Sequence, residues 1–181
     1  IAGTGYYTVD RWQQYWSDGT YKSDQIALTT SDLPYQYGLI YSQKYTATAA
    51  STSLGTFIAH NIEGQYIQDL AWGTANGSYM TLSFWFRSNL ATGTIFCNTI
   101  KTVVGATLPY CYSAQFTYTA TSGSWQKVVQ VIPPPPSGFT INVDNRGGIT
   151  IEFFVSWDRS GTNNTWTSGN SNAAPGAAAW H

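Results

Sequence analysis

The chain has 181 residues, a length that fits one domain with its own hydrophobic core, and we predict a single domain over residues 1–181. Only 9% of the residues are charged and the net charge is -1, so the sequence has no basic surface of the kind that neutralises nucleic-acid phosphates. No run approaches the roughly 18 apolar residues of a membrane-crossing helix. We therefore expect neither a nucleic-acid partner nor insertion into a membrane.

The first part of the chain predicts short strands joined by turns. Residues 1–5 have the composition of a flexible segment, with two glycines, and we predict a linker or entry segment over residues 1–9. Residues 10–16 predict a strand, and the turn signal that follows predicts a hairpin with residues 21–29. Alternating apolar residues over 37–45 indicate another strand, followed by a predicted Ser/Thr/Ala-rich loop over 46–53.

The clearest structural signal is the predicted strand at residues 79–87, where apolar and polar side chains alternate with a period of two. Its core face consists of Met80, Leu82, Phe84 and Phe86. Its other face carries Tyr79, Trp85 and Arg87, and is either covered by another part of the chain or in contact with a ligand or partner. A strand over 56–64 and one helical turn over 68–72 are predicted to precede it.

Two cysteines, Cys97 and Cys111, flank a predicted hairpin that turns near Gly105. Because both are equally distant from that turn, they could face each other as a disulfide-bonded cross-strand pair. The alternative is two ordinary buried thiols. A catalytic or metal-binding role is not supported, because the sequence offers no second cysteine pair and no convincing histidine partner.

The last third predicts a proline connector and two or three strands, because the alternating residues at 139–143 fit either a further strand or a loop. Residues 125–132 predict a strand, and the four prolines at 133–136 must lie outside any central strand because they cannot donate ladder hydrogen bonds. Residues 149–157 give a second alternating core face, from which Glu152 is predicted to point to solvent. Extended loops are predicted from residue 158 onward. Since no helical periodicity of useful length occurs, we predict an all-β fold, a β-sandwich of about eight or nine antiparallel strands.

Catalysis is not expected. A glycosidase needs paired carboxylates, and His60 and Glu63 point to opposite faces of one predicted strand. For a nucleophilic triad the sequence offers only His60 and His181 as histidines, and it contains no strained Gly-x-Ser-x-Gly turn. No cofactor is predicted beyond a structural calcium, for which Asp144 and Asp158 could supply ligands. The alternative for each aspartate is a turn-capping role.

Aromatic residues make up 16% of the chain, and some of them could form flat platforms for sugar rings. Trp166 is the first candidate, because it lies in a predicted loop beside Asn163 and Asn164, whose amides could fix sugar hydroxyls. The further candidates are Trp72, Trp85 and Tyr35. The alternative for any of these rings is packing in the sandwich core.

The segments at residues 61–64, 69–76 and 81–88 resemble a carbohydrate-binding-module-like jelly-roll domain of bacteriophage tail-fibre and tail-associated proteins. Further similarity lies at 112–119 and in the closing loop at 165–170. The chain departs from this pattern in its four prolines and in ending where the family has a final strand, which we expect to be missing or supplied by a neighbour.

The resemblance implies a non-catalytic domain at a virion surface or in an extracellular fibre. It would bind host-surface carbohydrate, with other virion or fibre subunits as partners and a homo-oligomer, a trimer above all, as the assembly. The alternative is a purely structural β-sandwich subunit of a viral fibre, a capsid decoration or an extracellular filament. In that case the exposed aromatic rings would lie in subunit interfaces.

Overall fold

The computed structural model describes residues 12–15, 20–49, 56–102, 110–138, 141–156 and 164–168. Within these ranges the chain forms ten strands and three 3-10 helices. The strands are β1 Trp12–Tyr15, β2 Thr20–Ala27, β3 Tyr41–Ala49, β4 Thr56–Glu63, β5 Met80–Phe86, β6 Ile95–Thr102, β7 Tyr110–Thr117, β8 Gln126–Ile132, β9 Gly147–Ser156 and β10 Thr165–Ser168. The 3-10 helices are Leu33–Tyr37, Gly64–Tyr66 and Gln68–Leu70.

All the strand pairs are antiparallel. Six strands form the large sheet, in the order β1-β4-β9-β6-β7-β10, while β5 and β8 form the small sheet and β2 pairs with β3. The predicted all-β antiparallel fold is therefore confirmed, with ten strands in the described ranges instead of eight or nine. The additional strand, β10, lies where the sequence predicts a loop.

The core lies between the small sheet and the centre of the large sheet, and the predicted inner face of β5 is confirmed. Met80 and Leu82 pack against what we call the isoleucine-rich cluster. Its buried members are Ile67, Trp72, Ile100, Tyr112, Ala114, Ile132, Ile149 and Ile151. Phe86 belongs to the phenylalanine-rich cluster, and Phe84 packs against it. The buried members of that cluster are Phe86, Phe96, Phe116, Tyr118 and Val128. Because strands of both sheets contribute to each cluster, the two sheets form a sandwich.

The predicted hairpin between β1 and β2 is wrong, because β1 pairs with β4 in the large sheet. The Trp12 ring lies 4.8 Å from the His60 ring and 6.2 Å from the Phe153 ring. Strand β2 pairs with β3 instead. Aromatic packing across the sheet therefore decides the partner of β1, and the local turn signal does not.

The predicted strand over 37–45 and loop over 46–53 are also corrected, because β3 spans Tyr41–Ala49. Residues Leu33–Tyr37 form a 3-10 helix, which Pro34 favours near its start through its fixed φ. Gly38 ends this helix with a φ of 85°, a left-handed conformation that glycine adopts without strain.

Strands β6 and β7 form the predicted hairpin, but in a register that rules out the proposed disulfide. Cys97 lies opposite Gln115, and Cys111 lies opposite Lys101, so the two cysteines are four positions apart along the ladder. That offset corresponds to about 13 Å, whereas disulfide-bonded cysteines need Cα atoms within about 7 Å. Cys111 is buried.

The proline connector follows β8 as predicted, since the strand ends at Ile132. Pro133 accepts a hydrogen bond from the Trp166 indole N–H at 2.9 Å, which ties the connector to β10. The part of the chain that the structure describes contains no helix with the length and hydropathy needed to span a membrane.

Candidate functional site

The loop between β2 and β3 places an exposed tyrosine over the outer face of the small sheet. The Tyr37 ring lies 5.2 Å from the Trp85 ring of β5, tilted by 43°. The ammonium group of Lys127, which lies opposite Trp85 on β8, is 5.9 Å from the centre of the Tyr37 ring. Tyr37 nevertheless keeps 65% of its surface exposed. The outer face of β5 is therefore partly covered by the chain itself, with one ring left available to a ligand.

Asp32 fixes this loop to the small sheet. Its Oδ1 accepts hydrogen bonds from the Trp125 indole N–H at 2.9 Å and from the Arg87 guanidinium at 3.2 Å. Its Oδ2 accepts the backbone N–H of Thr29 at 3.0 Å. The hydrogen bond from Trp125, followed by those from Thr29, lowers the pKa of the Asp32 carboxyl below its ordinary value, and the charge of Arg87 lowers it further.

The same contacts orient the cation and the second indole. The Arg87 guanidinium carbon lies 4.6 Å from the centre of the Trp125 ring, within the range of a cation–π interaction. We call the whole group the Tyr37–Trp85 cluster: Asp32, Tyr37, Trp85, Arg87, Trp125 and Lys127.

The cluster combines the features of a sugar-binding surface. An exposed ring can stack on the apolar face of a pyranose, while guanidinium and ammonium groups can donate hydrogen bonds to hydroxyls or carboxylates. Because Trp85 and Asp32 hold the rings and the guanidinium in place, little side-chain entropy remains to be lost on binding.

Two of the sequence-predicted residues lie at this surface. Trp85 belongs to the cluster and is half-buried under Tyr37. Tyr35 lies in the same 3-10 helix as Tyr37 and is 39% exposed. Whether either ring contacts a sugar stays a prediction.

Trp72 does not have the open ring that the glycan prediction requires. It is only 4% exposed, and its indole N–H donates to the Ser78 carbonyl at 2.7 Å. Its ring packs edge-on against Trp166 at 5.5 Å. Trp72 is therefore a core-packing residue, as the alternative prediction has it.

Trp166 lies in a strand, so its predicted loop position is wrong. It pairs with Tyr112 across β10 and β7, and it is half-buried. Asn164, just before β10, is exposed with a φ of 57°, and its backbone N–H donates to the Ser113 carbonyl at 2.8 Å. Asn163 lies outside the described residues. The hydrogen bond to Pro133 and the contact with Trp72 make Trp166 a packing residue at the margin of the core.

Asp144 caps a turn, which was the alternative to calcium binding. Its Oδ1 accepts the backbone N–H of Arg146 at 2.9 Å, and its Oδ2 pairs with the Arg146 guanidinium at 2.7 Å. These contacts lower the pKa of the Asp144 carboxyl, the backbone hydrogen bond most of all. Asp158 lies outside the described residues. Within the described ranges, no three His, Cys, Asp or Glu residues are grouped so that they could hold a metal ion.

Glu152 is buried, so its predicted exposure to solvent is wrong. It is 4% exposed, and its strand β9 lies between β4 and β6 in the large sheet. Its Oε1 pairs with the Lys101 ammonium at 2.8 Å. Burial raises the pKa of the Glu152 carboxyl, and the positive charge of Lys101 opposes this increase. The pair links β6 to β9.

Sequence reasoning missed most of the cluster. The sequence predicts strand positions for both Tyr37 and Trp125, and it does not indicate that Asp32 belongs to a site. The available signal is the Pro-Tyr-Gln-Tyr-Gly segment at 34–38, where two tyrosines lie between a proline and a glycine, residues that favour turns. Nothing in the sequence shows that Asp32 contacts Trp125, which lies 93 residues further along the chain.

Comparisons with known proteins do not add to this description. No family model, curated protein or solved structure matches the chain. The functional proposal therefore depends on the geometry and chemistry of the cluster and on the sequence resemblance.

Proposed function

We propose that this protein is a non-catalytic carbohydrate-binding domain of a virion surface or extracellular fibre, and that it binds host-surface glycan at the Tyr37–Trp85 cluster. The observation that carries the proposal is the exposed Tyr37 ring, seated on Trp85 and flanked by Lys127. The resemblance of residues 61–64, 69–76 and 81–88 to phage tail-fibre domains supports the location at a virion surface.

The cluster favours a saccharide over an apolar ligand. The Lys127 ammonium lies beside its exposed ring, and the Arg87 side chain is 37% exposed despite its pairing with Asp32. A guanidinium has five N–H donors, so several remain for sugar hydroxyls or carboxylates. A purely apolar ligand would leave these donors without partners.

The test is binding of the purified domain to a broad glycan array, followed by affinity measurements with Tyr37→Ala. Because Tyr37 would supply the stacking surface, the variant should lose about tenfold or more in affinity, as expected for an aromatic residue at the centre of a binding surface. The matched control is Tyr79→Ala, which removes a ring that is 68% exposed at the start of β5. It should bind as the wild type does.

Two results would contradict this proposal. One is a folded wild-type domain that binds no glycan on the array. The other is an equal loss of affinity in the Tyr37 and Tyr79 variants, since binding would then not depend on the cluster.

A structural role is the second candidate function, and the outer face of β8 favours it. Val129 and Val131 are 58% and 59% exposed there, side by side on one face of the strand. Among the described residues, the small sheet pairs with no further strand. A homo-oligomeric fibre subunit, a trimer above all, would bury these valines against a neighbour.

A further inference from the structure

An amide side chain lies unpaired inside the sandwich on the large sheet. Asn98 of β6 is 0% exposed, and neither its Oδ1 nor its Nδ2 has a hydrogen-bond partner among the described residues. On the inner face of β6, Phe96 precedes it in the phenylalanine-rich cluster and Ile100 follows it in the isoleucine-rich cluster. Asn98 therefore occupies the layer between the two clusters.

A second unpaired amide occupies the same layer on the small sheet. Gln130 of β8 has both polar side-chain atoms buried, and within the described ranges neither has a partner. Its neighbours on the inner face are Val128, a member of the phenylalanine-rich cluster, and Ile132, a member of the isoleucine-rich cluster. Each amide therefore lies between a residue of the phenylalanine-rich cluster and a residue of the isoleucine-rich cluster, one amide on each of the two sheets.

The layer also has a small residue where its neighbours are large. Ala114 lies directly opposite Asn98 on β7 and is buried, whereas Phe116 and Tyr112 fill the adjacent inner positions of that strand. Ala114 leaves more room beside Asn98 than a phenylalanine or tyrosine would, while Phe153 of β9 lies opposite Asn98 on its other side. Space lined by polar groups is the setting in which proteins hold internal water.

We propose that an internal water molecule bridges Asn98 and Gln130 between the two sheets. A buried amide without partners is costly, because folding removes its hydrogen bonds to solvent and returns none. Water has two donors and two acceptors, so one molecule can serve an oxygen and an N–H from both amides at once. The bridge would also fix the position of the small sheet on the large one, and with it the outer face that carries Trp85.

The first test is a high-resolution crystal structure, combined with NMR transfer of magnetisation from water to the side-chain amide groups. The expected result is one ordered water within hydrogen-bond distance of both residues, with water cross-peaks to both amide NH2 groups. A direct hydrogen bond between the two amides, with no water density in the layer, would overturn the proposal. So would amides that each bond to separate protein groups.

The second test is a double-mutant cycle with Asn98→Leu and Gln130→Met, which replace each amide by an apolar side chain of similar size. Each single variant removes one side of the bridge and leaves the other amide without its water-mediated hydrogen bonds to the first. It should therefore raise the unfolding equilibrium constant about tenfold. The double variant removes both amides and the water, so its effect should be smaller than the product of the two. Simple multiplication of the single effects would count against the bridge.

The matched control is Val129→Gln, which places the same amide one position away on the exposed outer face of β8. It should leave the unfolding constant within a fewfold range of the wild type and keep the water cross-peaks. Loss of those cross-peaks in the control would show that they do not come from the buried layer, and would also overturn the proposal.

Discussion

Asp32 shows how one exposed carboxylate can organise a surface. It accepts hydrogen bonds from Thr29 within its own loop and from Trp125 and Arg87 at the end of the small sheet. The carboxylate is 18% exposed and faces donors from both segments. Removal of its charge should therefore loosen the loop that holds Tyr37.

This predicts a stability difference that depends on pH. The folded-state pKa of Asp32 lies below the unfolded value of about 3.9. Its contribution is therefore complete above the unfolded pKa and is lost as pH falls through the folded pKa. Asp32→Asn should lower the melting temperature at pH 7, and the difference from wild type should shrink in increasingly acid solution below about pH 4.

Calorimetry of both proteins from pH 7 to pH 3 measures that difference, and an NMR titration of the Asp32 carboxyl carbon gives its pKa. Ser137→Ala, a change at an exposed position, controls for general effects of mutation. An Asp32 pKa at or above the ordinary aspartate value would contradict the prediction.

At the scale of elements, Lys101 and Glu152 join two neighbouring strands of the large sheet. The Glu152 side chain is 6% exposed and the Lys101 side chain 23%, so the carboxylate depends on its partner more than the ammonium does. Lys101→Met leaves a buried carboxylate without a counter-charge, and we expect a loss of about 3–5 kcal/mol in the free energy of unfolding. Glu152→Gln should cost less, because Lys101 keeps partial access to water.

Urea denaturation at pH 7 and pH 5 separates the two variants. Burial raises the pKa of Glu152, so the folded state holds the proton more tightly than the unfolded state and the burial penalty diminishes as pH falls through the folded pKa. The Lys101→Met variant has no ammonium charge to oppose the increase in the Glu152 pKa. Part of the stability that this variant loses at pH 7 should therefore return at pH 5. Equal, pH-independent losses in both variants would be incompatible with this account.

The elements that sequence predicts well are those whose signal is local. The alternation in Met80, Leu82, Phe84 and Phe86 predicts β5 and its core face because a strand directs successive side chains to opposite faces. The prolines after Ile132 predict the end of β8 for an equally local reason. Such patterns do not depend on knowing the neighbouring strand.

Strand pairing, register and burial depend on residues that are distant in sequence, and several predictions of these properties were wrong. A four-residue difference in register separates Cys97 from Cys111. Glu152 is buried, although alternation along β9 alone predicts that it is exposed. The sequence predicts that the outer face of β5, which carries Trp85, is either covered or in contact with a partner. It does not indicate that Tyr37 packs on Trp85, because Tyr37 belongs to a loop whose position depends on the fold.

At the scale of the whole molecule, the two proposed functions use different parts of the small sheet's outer face. The Tyr37–Trp85 cluster lies at one end, whereas Val131 lies opposite Thr81 towards the other end of the β5–β8 pair. A fibre subunit could therefore assemble through its valines and still present the cluster. Assembly and glycan binding become separable properties.

We predict that Val129→Lys combined with Val131→Lys disrupts a homo-oligomer, because two ammonium groups would be buried in the interface. Sedimentation velocity measures the change in mass. Affinity for a soluble monovalent glycan should stay unchanged, while binding to a glycan-coated surface should fall by a factor of ten or more as multivalency is lost. Asn145→Lys, which adds charge at an exposed turn, is the control.

A wild-type chain that sediments as a monomer would contradict the assembly prediction, as would a double-lysine variant that assembles normally. Loss of monovalent glycan affinity in that variant would show instead that the valines belong to the binding surface.

The hydrogen bond between Asp32 and Trp125 joins positions 93 residues apart. During synthesis, the first half of the cluster must leave the ribosome long before its second half exists, and closing so large a loop costs entropy that only the finished sandwich offsets. The cluster should therefore be among the last parts of the molecule to acquire its native arrangement. Glycan binding would then report that the whole domain has folded, so a fibre that carries it could not engage a host through an incomplete chain.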